Sequence, residues 1–208
     1  MTAVHAAVPS GFVARVKGIL VAPKAEWETI AAERSSTAGI WTGYVLPLAA
    51  IGPVAGLLGG LAFGNPVASL FGTDLGLDFG TAFYVREAIT GYVGSLIGVG
   101  VLTALITVLA PHFGGRADSL ASLKLAAYAA TAAWVAGIFG LVPALAPLGI
   151  VGLYSIYLLW LGVGPIAHVP AEKALPFTAA VVVAAIALSV AVSAALANPK
   201  RKILSVHA

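Results

Sequence analysis

Lys124, Tyr128 and Thr131 stand four and three residues apart, a spacing that puts their side chains on one face of a helix. An ammonium, a phenol and a hydroxyl in such a row could form one wall of a polar cleft. Tyr154 and Tyr157 are the candidates for the opposite wall. A cleft of this kind would bind or pass an ion or a small solute.

Other chemistries fare worse. His112 and Asp118 share one predicted loop and His168 and Glu172 another, so nitrogen and oxygen ligands could converge on a divalent ion. The first pair has no signature spacing. The second would be one helical turn apart only if helix persisted across Pro170, which proline disfavours. No metal site and no cofactor is therefore expected. With no cysteine there is no disulfide framework, thiolate metal site or thiol nucleophile. The sequence contains no HExxH, no GxSxG and no glycine-rich phosphate loop ending in Lys-Ser/Thr. Asp74 and Asp78, near Gly72, Gly76 and Gly80, sit in a loop rather than facing each other within a helix pair, so they make no aspartyl dyad. The expectation is a protein that is not an enzyme.

The elements that position these residues are set by charge. Between Lys124 and Glu172 there is no Asp, Glu, Lys or Arg. The 208 residues hold only eleven Lys/Arg and eight Asp/Glu, and 60% are hydrophobic. Lipid must be the main solvent. Uncharged runs near 40–63, 88–110, 125–145, 146–167 and 175–197 each make about 32–36 Å of helix, enough to cross a hydrocarbon layer about 30 Å thick. Backbone groups in hydrocarbon must pair internally, so helices are predicted, and no strand alternation suggests a barrel. The fold class is an all-α membrane protein, a five-helix bundle. Pro143 and Pro147 mark the hairpin between the third and fourth spans, and Pro176 suits the first turn of the fifth. In this setting Lys124 has a second reading, as a residue near a helix end that snorkels to the headgroups. Arg86 and Glu87 open the second helix and read as an interfacial cap or ion pair.

Residues 1–39 form a different segment. Phe12, Val13, Val16, Ile19 and Leu20 share one helical face, with Arg15 and Lys17 elsewhere on the wheel. These charges also interrupt what would otherwise resemble a signal-peptide core. Pro23 opens a second short helix with Glu26 and Glu28 early in it. Such amphipathic pieces can lie in the headgroup plane, with Trp27 and Trp41 as anchors, or pack on the end of the bundle. Residues 198–208 form a short basic tail. Seven Lys/Arg fall on the side of the N-terminus and four on the other, which favours a cytoplasmic N-terminus, although Lys200, Arg201 and Lys202 oppose it. The net charge of +3 reflects these flanks beside anionic lipid rather than a nucleic-acid partner. Gly52, Gly56 and Gly60, and Gly94 and Gly98, repeat at helical spacing. Such faces serve close packing inside the bundle or a homodimer. Pro53 is expected to bend the first helix.

Four strings carry a resemblance. The third span is led by Ala110-Pro-His-Phe-Gly-Gly and then Lys124-Leu-Ala-Ala-Tyr128-Ala-Ala-Thr131-Ala132-Ala-Trp134. The fourth reads Leu153-Tyr-Ser-Ile-Tyr-Leu-Leu-Trp-Leu-Gly162, followed by Pro170-Ala-Glu-Lys-Ala174. With the Pro23/Trp27 N-terminus, the chain resembles the bacterial branch of the Yip1 family over nearly its whole length. The resemblance implies a five-helix membrane bundle with a cytoplasmic N-terminus. In eukaryotes the family is associated with membrane traffic and with prenylated small GTPases. Relatives often carry a proline where this chain has Ala132, and the long hydrophilic N-terminus of eukaryotic relatives is missing. The expected role is a non-enzymatic, multi-pass protein of the bacterial inner membrane. Its partners would be the bilayer and another membrane protein or a second copy of itself. The alternative is a small transporter or channel using the Lys124 face.

Overall fold

The computed structural model describes residues 11–64 and 80–197, and every regular element among them is helical. The loop aspartates Asp74 and Asp78 and the basic tail Lys200–Lys202 lie outside the described residues. Two short helices, α1 (Phe12–Val21) and α2 (Pro23–Ala32), precede five helices long and apolar enough to cross a membrane. The spans cover Thr37–Phe63, Thr81–Phe113, Ser119–Leu141, Ala144–Ala167 and Ala171–Val192. The chain is thus an all-α, multi-pass membrane protein.

Several boundaries move from where charge alone placed them. The second helix begins at Thr81, so Arg86 and Glu87 sit in its second turn rather than opening it. The third begins at Ser119, N-capped by Asp118, whose carboxylate accepts from Ala121 N at 2.8 Å. Lys124 is therefore more than a turn inside the span. The hairpin between spans three and four turns at Val142, held extended by the following Pro143. Pro147 lies within the next helix instead of in the turn. The fifth helix starts at Ala171, leaving Pro176 in its interior.

The first span is broken where the sequence removes backbone donors. Leu46 N–H bonds back to Trp41 O in a π turn over Trp41–Val45, just ahead of Pro47, and the first span breaks again at Ala50, three residues before Pro53. The third span breaks at Ala130 although residue 132 is alanine, so no proline is needed. There Thr131 Oγ1 donates to Tyr128 O at 2.7 Å, and Ser155 Oγ of the fourth span accepts from Ala133 N at 2.9 Å. Side chains take over the pairing that the helix gives up. Beyond this point the hairpin is 3₁₀-helical, at Gly137–Leu141 and Pro143–Leu153.

The third span is central and touches the first, second and fourth. Ser122–Ala129 are all buried, and the alanines among them let neighbouring backbones close in. Hydroxyls tie the spans together: Thr107 and Ser122 share a hydrogen bond at 2.8 Å, Trp134 Nε1 donates to Ser95 at 2.7 Å and Tyr92 to Leu46 O at 3.2 Å. The core lies at the end where α1 and α2 dock. Large apolar side chains near the opposite end, among them Leu58, Ile89, Ile150 and Ile186, face outward as lipid-facing residues should.

Candidate functional site

At the docking end, α1 and α2 form a hairpin pressed onto the third and fourth spans. The approach of α1 to α2 is close: a Cβ at Gly18 would collide with the Glu26 carboxylate. Buried Arg15 is matched by the other arm of the hairpin, donating to Glu26 at 2.5 Å and also to Glu33. This changes the inward face of α1. Arg15 and Ile19 are buried while Val13 is 74% exposed, so the apolar face read from the sequence is rotated. Two carboxylates, Glu26 in α2 and Glu33 just past its end, make the buried guanidinium tolerable.

Trp27 is 0% exposed, which corrects its reading as a headgroup anchor. Its indole fills the place where Gly162 has no side chain; a Cβ there would lie 2.7 Å from two indole carbons and 2.6 Å from Leu125. Ile30 is buried beside it. Trp27 Nε1 finds no hydrogen-bond partner among the described residues. Trp41 is half-buried at the start of the first span.

The predicted Lys124–Tyr128–Thr131 row does share a face, and the hairpin covers it. Lys124 Nζ donates to Ile30 O at 2.9 Å and to Glu33 O at 2.6 Å. It thereby caps the C-terminal carbonyls of α2, groups a helix leaves unpaired. Tyr128 lies in an aromatic cluster, 4.6 Å from the Tyr44 ring and 6.4 Å from Trp27, with the Arg15 guanidinium 5.5 Å from its centroid. Thr131 spends its one proton on Tyr128 O, so Tyr44 donates the 2.7 Å bond between Tyr44 Oη and Thr131 Oγ1. A cleft of about 280 Å³ remains beside the cluster, lined by Phe12, Arg15, Glu33, Ser36, Tyr44 and Tyr128.

The fourth-span tyrosines point elsewhere. Tyr154 Oη reaches Leu20 O at 3.4 Å, and Tyr157, 40% exposed, stacks between Tyr154 and Trp160 on the outer surface. They do not face Lys124. The metal candidates are also separately employed. His112 Nδ1 lies 2.9 Å from Val108 O, Asp118 is a cap, and His168 ends the fourth span with φ 51°. Among the described residues no three His, Asp or Glu gather as metal ligands do.

Sequence reasoning missed Arg15, Glu26, Glu33 and Tyr44 as one assembly. Their separations, 11 and 18 residues from Arg15 and 87 between Tyr44 and Thr131, match no local helical spacing. The one available signal was an arginine on an otherwise apolar helix, followed by a helix rich in glutamate.

Comparison with known families matches residues 17–193 to the Yip1 domain. Neither a curated protein nor a solved structure matches the chain. The matched stretch takes in most of the hairpin and all five spans.

Proposed function

The chain belongs to the Yip1 family, and from that premise we propose that it is a non-enzymatic, membrane-organising protein of the bacterial branch. It binds another membrane protein through the outer surface of its N-terminal hairpin. The N-terminus faces the cytoplasm, in keeping with seven Lys/Arg on that side against four on the other. The observation that carries this reading is the two-sided character of the hairpin. Its inner face is locked by Trp27, Arg15 and Lys124, while Val13 and Val21 stay exposed beside exposed Lys17 and Lys24. Exposed valines among cations, held on a rigid base, suit a partner docking at the level of the headgroups.

The test is crosslinking in native membranes followed by co-purification, comparing the wild type with a Val13→Ser, Lys17→Glu, Lys24→Glu variant. All three residues are exposed, so the fold should survive. A partner recovered with the wild type and lost with the variant is expected. Isolated monomers in both would overturn the proposal. Deleting the hairpin is a poor substitute, because Trp27 and Ile30 are core residues. A conduit along Lys124 is the weaker reading, since the hairpin occupies that face. Proteoliposome flux is expected to be nil, or indifferent to Lys124→Ala and Tyr128→Phe.

A further inference from the structure

At the end of the bundle remote from the hairpin, the first and second spans part to leave a groove of about 400 Å³. This is within the size range of ligand pockets. Its floor is Gly52, Gly56 and Gly91 with Pro53, and Tyr84 and Glu87 stand at its mouth. The glycines do two different jobs. A Cβ on Gly59 would strike the Gly140 carbonyl and one on Gly60 the Tyr84 ring, so those two serve packing. A Cβ on Gly56 meets nothing within 4 Å, and one on Gly91 meets only Pro53 at 3.8 Å. Glycine at these two positions keeps a trough open that packing does not require.

Glu87 lines the groove, and Arg86, the next residue along, sets a charge of opposite sign beside it. Arg86 Nη2 and Glu87 Oε1 are 3.8 Å apart, too far for a charge-assisted hydrogen bond, and the side chains are 72% and 57% exposed. Each therefore keeps most of its bonding capacity. The geometry points to a site for a phospholipid with an ethanolamine headgroup. One acyl chain lies in the glycine trough, the phosphate meets Arg86 and the primary ammonium donates to Glu87. A zwitterion presents charges of opposite sign a few bonds apart, as this mouth does. An anionic glycerol headgroup leaves Glu87 without a partner, and a trimethylammonium has no N–H to give. The site stands apart from the partner-binding surface, and its failure would leave that reading untouched.

The test is native mass spectrometry of the full chain released from nanodiscs holding equal parts of phosphatidylethanolamine, phosphatidylcholine and phosphatidylglycerol. Wild type should retain the ethanolamine lipid preferentially. Glu87→Gln should reduce that preference about tenfold, the size of one hydrogen bond to a charged group. Gly56→Leu, filling the trough, should abolish retention of all three lipids. Gly91→Leu is a second filling variant should the first fail to fold. Equal retention of the three lipids by wild type would overturn the site. So would an ethanolamine preference that survives Glu87→Gln, or retention unchanged by both filling variants.

Discussion

Arg15 holds the most exposed-to-failure position in the hairpin, because its charge is buried and its two partners lie on the other arm. Arg15→Met alone strands Glu26 and Glu33 in a poorly hydrated site, and a loss of about 3–5 kcal/mol is expected in reversible unfolding from micelles. The triple variant Arg15→Met, Glu26→Gln, Glu33→Gln should regain most of it. If single and triple variants lose the same stability, the ion pairs are not what holds Arg15. Trp27→Ala removes a fully buried indole and should cost about 3–5 kcal/mol by the same measurement. Gly162→Leu, pressing on that indole from the other side, should be similarly harmful. The Lys124–Tyr128–Thr131 row was legible in the sequence because helical spacing is local. What covers it was not, since the ammonium's partners are carbonyls 94 and 91 residues away.

Helices were readable wherever one physical rule governed them. Hydrocarbon thickness set the five spans, and Pro23 set the start of α2. Their ends were read less well, because a charged residue can sit inside a span when protein surrounds it, as Lys124 does. The break at Ala130 depends on Thr131 and Ser155 acting together, which no single stretch reveals. The glycine-rich faces divide along the same line. Gly52 meets Gly137 backbone to backbone, so that a Cβ on Gly137 would lie 2.6 Å from Gly52 Cα. This supports close packing inside the bundle for Gly52, Gly59 and Gly60, but not for Gly56. Gly94 and Gly98 are exposed, with open space around them, and remain the face available to a second copy. Gly59→Ala or Gly137→Ala should therefore lower thermal stability clearly, and Gly94→Ala should leave the isolated chain unchanged. Equal effects at all three positions would contradict this division.

As a whole the molecule is asymmetric along its axis. One end is a packed core of hairpin and helix ends, and the other is a looser set of lipid-facing helices parted by a groove. Composition announced the membrane, and the family match over residues 17–193 agrees with it. Neither composition nor periodicity announces that the N-terminal hairpin is part of the core, because the contacts that put it there are all between distant segments. Single-cysteine labelling tests that claim directly, and the chain has no native cysteine to interfere. Ala25→Cys, on the exposed side of α2, should react rapidly with an impermeant maleimide applied from the hairpin side of native vesicles. Ile30→Cys, on its inner side, should stay unreactive until the protein is denatured. Equal labelling rates at the two positions would show the hairpin lying free of the bundle, and would contradict the account.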